Sequence, residues 1–149
     1  MKAAKQPIIV DTNILFSALL TQRSSFADIL LTTTNDFFVC EMVLVELFKH
    51  KEKIIRLSRL SEDEIIQLYQ IYLKRLHLHK EALISLENRR QAYELCHDID
   101  KHDSAHVALT LELQGLLWTG DKVLKNGLLK KGFKQFFEAG HFMDSQVEP

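Results

Sequence analysis

Four carboxylates stand out by where they fall in the chain. Asp11 follows directly on the β-rich run Ile8-Ile9-Val10. Glu46 lies inside the apolar stretch Met42-Val43-Leu44-Val45-Glu46-Leu47-Phe48. Asp103 precedes the apolar positions Val107, Ala108, Leu109, Leu111 and Leu113, and Asp121 follows Leu116-Leu117-Trp118-Thr119. Taken singly, Asp11, Asp103 and Asp121 each sit where a helix should begin, and a helix cap explains each of them. Glu46 is too deep in its segment to cap it. Its ordinary explanation is an ion pair with Lys49 or His50, three and four positions on. Taken together the four imply more. Converging carboxylates raise one another's pKa values and destabilise a fold unless a cation neutralises them. Oxygen-only ligand sets suit hard cations such as Mg²⁺ or Mn²⁺. Such an ion can bind a phosphate oxygen and activate a water.

Convergence requires a parallel sheet. Strands are expected at 8–10, 36–40 and 116–119, with Leu76-His77-Leu78-His79 as a further short one. Between them fall helices from about Glu41 to beyond Lys49, from the capping box Ser61-Glu62-Asp63-Glu64, from Glu81 to Cys96, from near Asp103 to a stop at Gly115, and around Val123 to a stop at Gly132. Phe133 to Phe137 reads as a last edge strand. Strands alternating with helices mean βαβ units. Right-handed crossovers then place the ends of the strands carrying Asp11, Cys40 and Thr119 on one edge, where open α/β sheets bind ligands.

The motifs Asp11-Thr12-Asn13, Glu46, Asp103-Ser104-Ala105-His106-Val107-Ala108-Leu109 and Leu117-Trp118-Thr119-Gly120-Asp121, in this order, resemble those of the PIN domain family. The resemblance runs from Ile8 to about Phe137. It implies a three-layer α/β/α sandwich with a mainly parallel central sheet of four or five strands. It also implies a metal-dependent ribonuclease acting on single-stranded RNA, of the kind found as VapC-type toxins in toxin–antitoxin pairs. Its metal ligands, and hence its catalytic residues, fall on Asp11, Glu46, Asp103 and Asp121, and its polar residues near the Mg²⁺ or Mn²⁺ ion fall on Asn13 and Thr119. An antitoxin partner and a homodimer follow from the same likeness, and a cytoplasmic location is expected from the reduced cysteines Cys40 and Cys96. The alternative is a catalytically inactive PIN-fold module that binds nucleic acid or another protein. Asp100 is either an auxiliary ligand or a loop acid, and Asp98 is read as solvated. Lys122, Lys125 and Lys49 are the candidates for holding a nucleic-acid backbone.

Composition bounds these readings. A chain of 149 residues with 46% hydrophobic and 26% charged residues is expected to form one domain over 1–149, with a core of about 7–137 and a tail of 138–149. A formal net charge of −1 excludes bulk attraction to nucleic acid, though not chemistry through a bound metal. Cys40 and Cys96 lie in apolar context and read as buried, reduced thiols. No stretch approaches a membrane span. An EF-hand would need Gly at Asp103 and Glu at Leu109. His102 and His106 have zinc-helix spacing, but Asp103 stands where such motifs carry Glu.

Overall fold

The computed structural model describes residues 6–21 and 24–138. Four strands, β1 (Ile8–Val10), β2 (Phe37–Cys40), β3 (Leu76–His79) and β4 (Leu116–Trp118), form one sheet in the order β3-β2-β1-β4. All three pairings are parallel. Side chains alternate across the sheet because successive residues of a strand face opposite ways. Ile8, Val10, Phe37, Val39 and Trp118 enter one core. Ile9, Cys40 and Leu117 enter the other.

The first core is covered by α1 (Thr12–Ala18), α2 (Ser25–Thr32), α3 (Met42–Lys49), α4 (Lys51–Leu57) and α5 (Glu62–Arg75). The second is covered by α6 (Leu86–Cys96), α7 (Ser104–Leu113) and α8 (Lys122–Lys130). The expected α/β/α sandwich with a parallel sheet is therefore present. Among the described residues no helix is long and apolar enough to cross a membrane.

Local chemistry sets the element ends. The capping box at Ser61 is complete: its hydroxyl accepts from Glu64 N, and Glu64 Oε1 accepts from Ser61 N. Gly132, at φ +90, ends the turn after α8.

Four expectations are corrected. The helix expected from Glu81 to Cys96 is divided into a 3-10 turn at Glu81–Leu83 and α6. The divide falls at Ser85, whose hydroxyl caps Asn88 N while Ile84 is drawn into the core. The left-handed residue after α7 is Gln114 (φ 53), not Gly115. Gly115 is needed for a different reason, since a Cβ there would lie 2.8 Å from Ile9 Cδ1 and against the Pro7 carbonyl. Phe133 to Phe137 forms no strand but a single parallel bridge, Leu117 to Phe136. Phe133 and Phe136 both turn inward and meet edge to face at 5.3 Å, which breaks the alternation a strand needs. Finally, α2 is an element that periodicity left unassigned; Ser24 caps it at Ala27 N.

Candidate metal centre at the sheet edge

The sheet order places β1 between β2 and β4: the chain runs from β1 through β2 to β3 on one side, then crosses back to add β4 on the other. That is the switch point at which open α/β sheets form a crevice at the carboxyl ends of their strands. Asp11 and Asp121 lie on its two sides. Asp11 N donates to Trp118 O at 3.2 Å, which ties the end of β1 to the end of β4. The Asp11 side chain is only 2% exposed and accepts from Ile14 N at 3.2 Å, capping α1.

Asp121 likewise caps α8, accepting from Val123 N and Leu124 N at 3.0 and 3.1 Å. Its own amide donates to Thr119 Oγ1 at 3.1 Å. Thr119 thus orients the turn that presents Asp121. Asp103 differs from both. It opens α7 with no side-chain cap, so capping does not account for it.

Asp100, Asp103 and Asp121 come together, each with a carboxylate oxygen within 4.8 Å of the others. Asp103 feels the consequence. Burial first, then the charges of Asp100, Asp11, Asp121 and Glu46, push its carboxyl from the ordinary 3.8 up to about 7. Asp11, Glu46 and Asp121 therefore all bear on Asp103, and Asp100 stands with Asp103 and Asp121 in the tightest group. Asp11 and Glu46 lie outside that triad.

Glu46 is half-buried and takes its hydrogen bond from neither Lys49 nor His50 but from Thr12 Oγ1, at 3.2 Å. Thr12 is a residue sequence reasoning passed over, although it sits beside Asp11 in the motif. A second is His106, one turn after Asp103, which had been weighed only as a zinc ligand. It is buried, and desolvation lowers its pKa against the opposing pull of Asp11, Glu46 and Glu81. Its Nδ1 has no partner among the described residues.

Other sequence candidates lie at or near the protein surface. Asn13 is exposed at the start of α1, and Lys49 and Lys122 are exposed. Lys125 is already engaged: its ammonium pairs with Glu138 at 3.0 Å and lies over the Phe136 ring. Asp98 is exposed, as read, but it is not simply solvated, because it pairs with Lys131. The segment between Asp98 and Asp103 is seated on α8 by Ile99, whose Cδ1 would lie 2.5 Å from any Cβ at Gly127. Both cysteines are buried and unpaired.

The donor set is carboxylate oxygen, with one member, Asp103, whose proton is held by burial first and by the charges of its neighbours second. A divalent hard cation fits such a set, since it would displace that proton and cancel the repulsion. Comparison with known proteins bears on the family and the fold. The sequence matches the family model described as PIN domain over residues 9–136. No curated protein matches the chain significantly. Among solved structures, one chain of the crystal structure of VapBC2 from Rickettsia felis bound to a DNA fragment from their promoter is similar. The TM-score is 0.58 at 20% identity, covering 80% of this chain and 92% of that one.

Proposed function

Because the chain belongs to the PIN domain family, we propose that it is a divalent-metal-dependent ribonuclease that hydrolyses single-stranded RNA. The observation that carries this reading is the convergence of Asp100, Asp103 and Asp121, with Asp103 pushed up to about 7 by burial and then by the surrounding charges. In this reading Asp11, Glu46, Asp103 and Asp121, with Asp100, hold one or two Mg²⁺ or Mn²⁺ ions. A bound ion would lower the pKa of a coordinated water and neutralise charge on the phosphate. The chain's own residues supply placement. Asp11 is locked between β1 and β4 by its amide, Thr12 steers Glu46, and Thr119 sets the Asp121 turn. In this reading the exposed Asn13 orients ligands or water near the metal, and the exposed Lys49 and Lys122 would contact a phosphodiester backbone. Lys125 would first have to leave Glu138.

Asp11→Asn keeps shape and removes one charge. Cleavage of a panel of RNAs in Mn²⁺ should fall to background in this variant. Cleavage at the wild-type rate would show the site to be wrongly assigned.

A specific feature supports membership of a toxin–antitoxin pair. An apolar cavity of about 180 Å³ opens between α1, α3, α4 and α5, lined by Leu47, Phe48, Ile54, Ile66 and Tyr69 among others. Phe48 is 77% exposed at this cavity, and a contiguous apolar patch of this kind marks an interaction surface. An antitoxin would supply that cover; the similar solved chain comes from a VapBC2 complex. Co-expression with candidate antitoxins should protect Phe48 from solvent, and a homodimer in the cytoplasm completes the proposal.

A further inference from the structure

The start of α3 is held from outside the helix. Glu41, at its cap position, makes no side-chain cap. The first helical amide, Met42 N, donates instead to Glu81 Oε1 at 2.8 Å, from 39 positions away in sequence. One residue earlier, Glu41 N donates to His79 O at 3.1 Å. The end of β3 and the 3-10 turn after it therefore grip the first turn of α3 at two successive amides. Met42 and Glu46 are four positions apart, so they share one helix face and any shift of the first turn is passed to Glu46.

Charge places Glu81 beside the same pocket. Glu81 and Glu46 both push up the Cys40 thiol, after burial. Together with Asp11 they also oppose the lowering of the His106 pKa. Cys40 Sγ in turn reaches Ala105 O at 3.4 Å, next to His106 on α7. A local Ser cap would hold a helix start without adding negative charge near Glu46. Glu81 does both, and its side chain spans from the β3 end to α3 in doing so.

We propose that Glu81 is a positioning residue for Glu46: its carboxylate oxygen fixes the first turn of α3, and thereby keeps Glu46 against Thr12 at the edge of the acidic crevice. This rests on the metal-nuclease reading above. Two variants separate the hydrogen bond from the charge. E81A removes the acceptor, whereas E81Q keeps an acceptor oxygen and loses the charge. Two measurements are needed. The first is amide hydrogen exchange of residues 42–45 in metal-free protein. The second is the Mn²⁺ concentration giving half of the maximal rise in Tm.

In E81A, exchange of the first α3 turn should be about tenfold faster. Its Mn²⁺ midpoint should rise about tenfold, as when an outer partner of a metal ligand is removed. E81Q should stay within about twofold of wild type in both, since the same bond is retained. A helix cap with no bearing on the site would change exchange and leave the Mn²⁺ midpoint alone, which overturns the proposal. So does E81Q displaced as far as E81A. If E81A does not fold, E81D, one methylene short of Met42 N, should move the midpoint in the same direction, and a wild-type midpoint there counts against the role. A wild-type Tm that ignores Mn²⁺ overturns the metal reading itself. A wild-type response with an unaffected E81A overturns only the role of Glu81.

Discussion

Replacing Asp103 by Asn tests the electrostatics of the crevice without any assay of activity. In the folded metal-free protein the Asp103 carboxyl titrates near 7, against an ordinary 3.8, chiefly through burial and then through Asp100, Asp11, Asp121 and Glu46. The sign follows from linkage. Between these two values the folded state holds a proton that the unfolded chain has lost, so stability falls as pH rises from about 4 to about 7. A shift of about three units corresponds to about 4 kcal/mol at 1.36 kcal/mol per unit. Asp103 is only half-buried, so solvent screening reduces this to about 2 kcal/mol. Asn is nearly isosteric and carries no charge. Asp103→Asn should therefore raise stability at pH 8 by about 2 kcal/mol, which is about 4–8 °C in Tm for a chain of this size. At pH 5 most of the strain is already relieved by protonation, and the gain should shrink to under about 1 kcal/mol. Thermal unfolding of both proteins in a chelator, from pH 5 to 8, reads this directly. Adding Mn²⁺ at pH 8 should invert the order, because the wild type gains RT ln(1 + [L]/Kd), about 2.7 kcal/mol at a hundredfold excess over Kd, while the variant gains less. A variant less stable than wild type at pH 8 without metal, or a difference that does not change with pH, would refute the reasoning.

Other perturbations probe the scaffold. Gly115→Ala should cost about 1–3 kcal/mol or more, because the new Cβ meets Ile9 Cδ1 and the Pro7 carbonyl at the β1–β4 seam; a Tm equal to wild type would contradict this packing. Tyr72→Phe should cost about 1–2 kcal/mol, since the buried hydroxyl donates to Ala18 O at 2.9 Å and leaves that carbonyl unpaired, as urea denaturation will show. Burial pushes Cys40 and Cys96 up to about 12, so neither should alkylate with iodoacetamide at pH 8 until the protein is unfolded; native labelling detected by mass spectrometry would argue against buried thiols.

Much of the fold was legible because its signals are local. Ile8-Ile9-Val10 is buried on both faces and reads as a continuous apolar run. Ser61 and Glu64 announce a helix start through two hydrogen bonds only three residues apart. Where expectation failed, a distant contact decided. Ser85 starts the helix expected over 81–96 only at Leu86, with the help of Glu112, whose Oε1 accepts from Ser85 N across 27 positions. Gly115 is required by Pro7, not by its own helix. Phe133 to Phe137 cannot pair as a strand because two of its rings are drawn into the second core.

The same division runs through the candidate site. By itself the sequence singled out four carboxylates and the sheet edge toward which their strands run, because strand–acid–helix junctions and the handedness of βαβ crossovers are properties of short segments. It also carried the family pattern across 9–136. Only the tertiary structure decided which acids are closest. Asp100 joins Asp103 and Asp121 because Ile99 seats its loop against Gly127 of α8. Glu46 turns to Thr12 and not to Lys49, and its helix is gripped by Glu81. These are differences of a few ångströms between groups far apart in the chain. Coulomb energy and hydrogen bonding both depend steeply on such distances, and no spacing along the chain encodes them.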